Sequence, residues 1–433
     1  MKLFQKLLVA STAMSLITPL AAQASDTVNL EEMNSYFNGN SKVQRFDSKT
    51  FINEVSEDIA NLKGRVDGLE AQQNVFEAGA FSDTTVMDGK AVFDIGAIDY
   101  SETDGSNETV QFAYSYRLNL NTSFTGDDNL YVRLLSGNHT NTDWMADSND
   151  GGYLSSVGKK AALTVDKIWY SFPVGENNTV WVGPKIENYY MHGTAPSIYK
   201  PVTKQFTLGG NGNAYGASTD TGAGWAYKAD NGFAISSNIG TKSHTTQKDE
   251  DDNYVPSGLL TDETKTSWAT QIGYTQPQYA VSAIVNLKYN GWADGYLHTA
   301  AADDALVDGG NHTAVGLRGW WRPQDTGTAT PSVSLGYDTT QYGDVATGTD
   351  SSDMWFVGLQ WQDIINPDDK IGLAFAQPTM HDDETSDPFA YELYYSYKAN
   401  DSITITPAIF GGSDRDGGTE DVFGALLQTT FKF

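Results

Sequence analysis

From Val422 to the final residue, Phe433, apolar side chains alternate with small or polar ones. One register reads Phe423, Ala425, Leu427, Thr429, Phe431 and Phe433, and the other reads Gly424, Leu426, Gln428, Thr430 and Lys432. A period of two is typical of a β-strand with one face against apolar material and the other against water. This run alone does not separate a soluble sandwich from a barrel in a membrane.

The same period recurs from about Lys90 onwards, and it predicts about sixteen strands. Clear apolar faces are formed by alternate residues of 110–120, 279–289 and 391–397. The predicted strands begin near Lys90, Thr109, Asn129, Ala162, Thr179, Gly222, Gly232, Thr266, Gln278, Asn311, Pro331, Asp353, Lys370, Phe389, Ser402 and Val422.

The links between these strands alternate in length. Short links lie at 126–128, 173–178, 230–231, 276–277, 323–330, 365–369 and 399–401, whereas longer polar stretches include 140–160, 191–221, 242–265 and 291–310. A meander through a membrane needs tight turns on one side and permits long loops on the other. The pattern therefore favours an all-β fold, a transmembrane antiparallel β-barrel of about sixteen strands.

A different period precedes the barrel, with apolar residues at intervals of three and four. The predicted core positions of this heptad pattern are Ile52, Val55, Ile59, Leu62, Val66, Leu69 and Phe76. They indicate a short α-helical coiled coil, although Gly64 and Gly68 weaken the helix. β-Branched residues at the first core position favour a parallel dimer in isolation, whereas a trimeric barrel would impose three helices. A single amphipathic helix lying on its own barrel is the alternative.

The first residues have the features of an export signal. Lys2 and Lys6 precede an apolar run from Leu7 to Leu20, and Ala22-Gln23-Ala24 is a typical cleavage site. The predicted organisation is a signal peptide over 1–24, a short polar lead over 25–50, a coiled-coil helix over 51–78 and a β-barrel domain over 82–433. Export together with the strand pattern places the barrel among the lipids of a bacterial outer membrane, with Phe431 and Phe433 as its C-terminal insertion signal.

Composition narrows the functional classes. The formal net charge is -28, and loss of Lys2 and Lys6 with the signal peptide makes the mature chain more acidic, so binding to nucleic acid is not expected. The mean hydropathy of -0.41 is compatible with a barrel, because only alternate residues of each strand face lipid. The chain has no cysteine, which excludes a disulfide framework.

Catalytic chemistry has little support in the sequence. The six histidines do not pair at the spacing of metal ligands, and 209–212 lacks the Lys-Ser/Thr that completes a phosphate loop. We therefore expect no enzyme activity, no catalytic residue, no cofactor and no metal site. The acidic stretches 249–252 and 414–421 could supply oxygen ligands to calcium, but neither fits a complete calcium loop, and solvated acidic loops are the better interpretation.

Charged residues that alternate with the apolar ones are predicted to line the lumen. They are Arg117, Arg133, Lys185, Glu187, Lys288 and Arg318. Charge at such positions sets the ion selectivity of a pore. These residues indicate either an electrostatic field of mixed sign or local anion binding at the narrowest part of the lumen. The alternative is structural, with each arginine paired to a lumen acid such as Glu187 or Asp94. The long glycine-containing stretch 191–221, which carries Lys200 and Lys204, is predicted to fold inward and constrict the lumen, the alternative being an exposed loop.

Three segments before the barrel carry a resemblance to a known family. Residues 53–55, 61–71 (NLKGRVDGLEA) and 76–82 (FEAGAFS) resemble the junction between coiled coil and barrel in cyanobacterial outer-membrane porins, and the opening MKLFQKLLVA looks like the signal of marine picocyanobacterial members. That family is similar to the carbohydrate-selective porins, and some members are described as iron-uptake porins. The resemblance implies a homotrimeric outer-membrane channel for small hydrophilic solutes, namely inorganic ions including iron and small sugars.

One departure from the family concerns the cell wall. Members usually carry a surface-layer-homology domain before the coiled coil, and residues 25–50 are too short for it. We therefore expect a passive porin without the usual wall anchor. A structural envelope protein, linking the outer membrane to the cell wall through its coiled coil, is the alternative, and an outer-membrane enzyme or adhesin is a more distant one.

Overall fold

The computed structural model describes Lys63, which is helical, and most of the chain from Thr84 to Phe433. The described ranges are 84–101, 108–139, 144–146, 151–158, 162–215, 219–242, 247–248, 254–255, 258–261, 264–292, 310–343, 350–385, 387–413 and 421–433. The predicted signal peptide, the polar lead and, apart from Lys63, the predicted coiled coil lie outside the described residues.

Sixteen strands of the described chain form one closed antiparallel barrel, which confirms the predicted barrel of about sixteen strands. The barrel strands are β1 Thr85–Tyr100, β2 Gln111–Thr122, β3 Asn129–Gly137, β4 Thr164–Val174, β5 Asn178–Glu187, β6 Thr219–Lys228, β7 Phe233–Thr241, β10 Thr266–Gln276, β11 Tyr279–Tyr289, β12 His312–Trp321, β13 Ser332–Tyr342, β14 Ser351–Gln362, β15 Lys370–His381, β16 Phe389–Lys398, β17 Ile403–Ser413 and β18 Val422–Lys432. β8 Gln247–Lys248 and β9 Tyr254–Val255 pair only with each other.

Two short 3-10 helices, η1 Asn188–Met191 and η2 Lys204–Gly209, lie between β5 and β6. Among the described residues, no helix combines the length and the apolar character needed to cross a membrane.

The barrel closes where its first and last strands meet. Lys90 on β1 lies opposite Lys432 on β18, and Tyr100 lies opposite Val422. Backbone hydrogen bonds between Gly89 and Phe433 continue this pairing to the final residue. Closure matters in hydrocarbon because it leaves no edge strand with unpaired backbone groups.

Connections at the two ends of the barrel differ in length. The beginning of β1 and the end of β18 share one end with the short turns 123–128, 175–177, 229–232, 277–278, 322–331, 363–369 and 399–402. We call this the short-turn end. The longer connections, including those between β3 and β4 and between β5 and β6, leave the opposite end.

Alternation along each strand separates an outer face from an inner one. On β11, Val281 is 55% exposed and Val285 is 41% exposed, whereas Ile284 is 1% exposed and Lys288 is fully buried. The exposed set is apolar and faces outward, where a membrane covers it. The aromatic C-terminus follows the same rule, since Phe433 stacks on the ring of Tyr116 with centroids 5.8 Å apart.

Part of the barrel interior is an apolar core. Inward residues of β14 to β18 and of β1 and β2 pack around Trp144, Phe206, Phe356 and Phe410, all of which are buried. The lumen is therefore filled along this side, and polar space is confined to the rest of the cross-section.

Two short turns are held by an aspartate placed just before the next strand. The carboxylate of Asp369 accepts backbone N–H bonds from Ile364, Ile365 and Asn366 and a hydroxyl bond from Tyr395 on β16. Burial alone raises the pKa of Asp369, but these hydrogen bonds outweigh it and the pKa lies below its ordinary value.

Asp128 repeats this arrangement before β3. Its carboxylate accepts bonds from Phe124 N, Thr125 N and the Ser123 hydroxyl, and the hydroxyl of Tyr170 on β4 donates to its second oxygen at 2.7 Å. In both turns an acid at the strand start thus satisfies several backbone donors that would otherwise face the mouth of the barrel unpaired.

Candidate functional site in the barrel lumen

The connection between β5 and β6 lies inside the barrel. Residues 188–215, which we call the lumen segment, contact inward side chains of strands far from β5 and β6. Thr194 N donates to Gln271 Oε1 on β10 at 2.9 Å, and Trp320 Nε1 on β12 donates to Ala195 O at 3.1 Å. Of the stretch 191–221, predicted to fold inward, residues 191–215 therefore lie inside the barrel, whereas residues 219–221 belong to β6.

Glu392 on β16 holds the middle of the lumen segment. Its two carboxylate oxygens accept bonds from the Tyr199 hydroxyl, Val202 N, Thr203 N and the Thr203 hydroxyl, at 2.7 to 3.3 Å. Burial, reinforced by the neighbouring Glu392 charge, raises the pKa of Tyr199 well above its ordinary value. The hydroxyl of Tyr199 therefore remains a donor to Glu392.

Arg318 on β12 holds the end of the lumen segment. Its side chain is fully buried, forms an ion pair with Asp338 on β13, and donates from Nε to Leu208 O at 2.8 Å. The guanidinium also lies 4.5 Å from the ring centroid of Tyr215. Asp338 Oδ2 in turn accepts from Ala214 N at 3.1 Å. The pair thus joins two barrel strands to two points of the lumen segment.

Glycines allow the close approach of this segment to the wall. A Cβ at Gly336 on β13 would collide with the backbone oxygen of Gly209, and a Cβ at Gly212 would collide with the Asp338 carboxylate. Gly209 and Gly210 also have φ values of +76° and +108°, which favour glycine. The packing of the lumen segment against β13 therefore depends on glycines, both in the segment and on the strand.

His192, at the start of the lumen segment, is buried beside Asn238 and Tyr215. Burial lowers the pKa of His192 to about 3, so the ring is neutral at physiological pH.

A second inward-folded piece comes from the connection between β3 and β4. Residues 144–146 and Leu154 are buried in the apolar core, and Ser155 N donates to Val202 O of the lumen segment at 2.9 Å. An isolated bridge joins Leu154 to Thr203. The sequence interpretation missed this piece. The apolar run Trp144-Met145-Ala146 within a polar loop was the available signal.

Four aromatic residues form a continuous stack on the wall strands β3 and β4 and on η1. We call Tyr131, Trp169, Tyr189 and Tyr190 the aromatic stack. Ring centroids are 4.2 Å apart for Tyr131 and Trp169, 4.6 Å for Trp169 and Tyr190, and 4.4 Å for Tyr190 and Tyr189. The three tyrosines are partly exposed, so the stack presents ring surface toward the lumen.

Charged side chains border the aromatic stack. Arg133 forms an ion pair with Asp166 and its Nη1 lies 3.4 Å from the Tyr190 hydroxyl. Lys167 forms an ion pair with Glu187 and lies 5.3 Å from the Tyr190 ring centroid. Aromatic faces beside fixed charges offer both apolar and polar contacts to a small hydrophilic solute.

The predicted lumen charges occupy different environments. Arg117 and Arg133 face inward, and Arg117 Nη2 donates to Ser155 O and Val157 O at 3.2 and 3.3 Å. Arg318 and Lys288 also face inward but are buried, Arg318 beneath the lumen segment. Glu187 faces inward in its ion pair with Lys167, a residue that the sequence interpretation did not select.

Lys185 is the predicted lumen residue that the structure places elsewhere. The β5 register shifts between Gly183 and Ile186, and Lys185 lies opposite Ile168 on the outer face, where it donates to Val165 O at 3.0 Å. The same shift turns Ile186, expected to face lipid, inward against Trp169. One extra residue inserted into β5 as a bulge reverses the alternation, and a strict period of two does not anticipate this.

Lys200 and Lys204, predicted to lie on the constriction, point to different surroundings. Lys204 lies 5.5 Å from the ring centroid of Tyr153 in the second inward-folded piece. Lys200 lines a cavity of about 590 Å³ at the short-turn end, together with Arg322 and Lys370.

Within the described ranges, no group of three or more histidine or acidic side chains is arranged to hold a metal ion. The acidic stretches 249–252 and 414–420 lie outside those ranges.

A closed sixteen-stranded barrel with an apolar outer face, a partly polar interior and an inward-folded loop defines a porin of the bacterial outer membrane. The chain belongs to the family described as carbohydrate-selective porin, OprB family, whose model matches residues 47–433. It is accordingly an outer-membrane channel for small solutes and not an enzyme.

The chain is also similar to two uncharacterized proteins and to a solved porin structure. An uncharacterized protein of a Nostoc species is 26% identical over 422 residues, which cover 88% of this chain and 71% of that protein. An uncharacterized protein of a Synechocystis species is 31% identical over 137 residues, which cover 31% of this chain and 25% of that protein. The OprB structure of Pseudomonas putida at high pH has a TM-score of 0.56 at 12% identity, covering 81% of this chain and 94% of that chain, and it supports the fold.

Proposed function

We propose that small sugars and small anions are the preferred solutes of this porin. The observation that carries the proposal is the aromatic stack beside Arg133 and Lys167, where the lumen segment leaves the wall. The flat apolar faces of a sugar ring pack on aromatic rings, and its hydroxyls bond to neighbouring charged groups. Passage requires no energy source, because the solute moves down its own gradient.

Inorganic ions, including iron, were part of the sequence-based expectation. The inward cations Lys90, Arg117 and Arg133 act on one another electrostatically. Positive charge along a narrow passage disfavours hydrated iron cations and favours anions. We therefore propose that any iron passing this channel does so as an anionic or neutral complex.

Assembly and wall contact are further proposals. The heptad pattern of residues 51–78 supports self-association through a coiled coil, and the resemblance to the porin family supports a homotrimer. The domain boundaries proposed from the sequence place that helix directly before the barrel. Contact with the cell wall through residues 25–78 is the corresponding proposal for the periplasmic side.

The test is conductance of the purified mature protein in a planar bilayer, followed by titration with a neutral hexose. Stepwise current that the hexose reduces in a concentration-dependent way is expected. In a Tyr189→Ala/Tyr190→Ala variant the half-blocking concentration should rise about three- to tenfold, since an aromatic contact contributes about 0.5–1.5 kcal/mol. Tyr397→Ala, on the outer face, is the control and should match the wild type.

Two outcomes would contradict the proposal. Equal hexose block in the wild type and the double variant would remove the aromatic stack from solute binding. A silent bilayer with folded protein would contradict a conducting role and favour the structural envelope alternative.

A further inference from the structure

The cavity at the short-turn end is lined by three cations from three separate elements. Lys200 comes from the lumen segment, Arg322 follows β12, and Lys370 begins β15. The cavity volume of about 590 Å³ lies within the usual range for small-molecule sites. A site built from separate elements is fixed by the fold rather than by one flexible loop.

Arg322 is held in position by two contacts. Its Nε donates to Pro277 O at 2.7 Å, and its guanidinium lies 5.9 Å from the ring centroid of Trp320. Trp320 is itself fixed by its bond to Ala195 O in the lumen segment. The guanidinium is thereby oriented, which suits it to the paired oxygens of an oxyanion.

Acidic groups are also near, but they are engaged elsewhere or lie at the margin. Asp325 lines the cavity from the exposed turn 322–331, and Asp363 and Asp368 act on Lys370. Asp368 forms an ion pair with Lys398 at 3.0 Å, and Asp363 Oδ1 accepts from Asp368 N. Positive charge therefore dominates within the cavity.

The cavity continues a run of cations along the inner wall. Lys370 is subject to the charges of Lys200 and Lys432, and Lys432 lies opposite Lys90 across the β1–β18 pairing. Lys90 in turn is subject to the charge of Arg117. Like charges placed side by side destabilise a protein, so their retention here requires a reason, and an anionic ligand provides one.

We propose that this cavity binds a small multivalent oxyanion of the phosphate type, either free or carried by a phosphorylated sugar. The amide groups of Gln278, Gln360 and Gln362, which line the same cavity, provide additional donors to such a ligand. The inference rests on the proposed function, because solute from outside reaches this site only through an open lumen.

The test combines equilibrium binding with conductance of the full mature chain. Radiolabelled inorganic phosphate is titrated onto detergent-solubilised protein, and phosphate or hexose phosphate is added to channels in a bilayer. Saturable binding and a concentration-dependent current block are expected. In a Lys200→Gln/Arg322→Gln/Lys370→Gln variant both half-saturation values should rise about tenfold or more, since each lost charged hydrogen bond weakens binding substantially.

Lys185→Gln, which removes a cation from the outer face, is the matched control and should bind as the wild type does. Block by hexose phosphate but not by free phosphate would identify the phosphorylated sugar as the ligand, and the reverse would identify free phosphate. Conducting channels with no saturable phosphate binding would overturn this inference and leave the proposed function standing. A bilayer without channel current would contradict the proposed function. Phosphate binding to the solubilised protein would still show whether the cavity is an oxyanion site.

Discussion

Arg318 on β12 is ion-paired with Asp338 on β13 beneath the lumen segment, and both side chains are buried. A charge at an inward position of a porin strand is often assumed to face the channel. Here the pair instead bonds to Leu208 O and Ala214 N, so its role is to hold the segment that crosses the lumen.

Removing one partner of this pair should be costly. Arg318→Met leaves the buried Asp338 charge unpaired, and we expect the free energy of unfolding to fall by about 3–5 kcal/mol. Arg318→Met/Asp338→Leu should recover most of that loss. Denaturant unfolding in detergent, followed by tryptophan fluorescence, measures both. If the double variant is no more stable than the single one, the pair does not act as described.

The ion selectivity of the channel should depend on Arg117 but not on the Arg318–Asp338 pair. Arg117→Ser removes a charge beside Lys90 and should move the reversal potential in a salt gradient toward cation preference. Arg318→Met/Asp338→Leu should leave the reversal potential of its folded channels close to the wild-type value, because it removes a buried pair that contributes little net charge to the lumen. A larger shift from Arg318→Met/Asp338→Leu than from Arg117→Ser would contradict this assignment.

Gly336→Ala should alter conductance through packing alone. The added methyl group would collide with Gly209 O and push the lumen segment away from β13, so single-channel conductance should increase or fluctuate. Gly319→Ala is the matched control on β12, since its added Cβ meets only ordinary contacts at 3.7 Å or more. Identical current traces for the two variants would show that the segment tolerates the shift.

Acid should weaken the turn held by Asp369. Its folded-state pKa is below the ordinary value, so its stabilising contribution is complete above the unfolded pKa of about 3.9 and is lost as the pH falls further. Asp369→Asn should remove that contribution at neutral pH and flatten the acid dependence. This acid dependence is measured as the folded fraction, determined by gel mobility after exposure to pH 2–7.

Asp325→Asn is the control for this experiment, since Asp325 lies on another exposed short turn. An acid transition that is the same in wild type and Asp369→Asn would exclude this carboxylate as a determinant of acid stability.

Strand positions were predictable because hydrocarbon enforces alternation on every spanning strand. The predicted starts at Asn129, Thr266 and Lys370 coincide with the observed ones. No such rule governs the interior. Inward positions can meet water, another charge or an apolar core, and the sequence pattern is the same in all three cases.

The sequence predictions that were wrong or incomplete concern the barrel interior and the bulge in β5. The prediction placed Lys185 inside because the β5 bulge has no signature in the alternation. It missed the inward fold of 144–146 and 151–158 because loops are assumed to be solvated. Arg318 was correctly placed inward, but its partners became visible only when the lumen segment was positioned by the fold.

The pairing of Lys90 with Lys432 joins the earliest barrel strand to the latest one. Contacts of such sequence separation form slowly, because most of the chain must be ordered before they can exist. The sheet therefore cannot close before β18 has reached β1. Until then both edge strands of the sheet are unpaired and can aggregate. The unfolded polypeptide therefore has to be shielded on its way to the membrane.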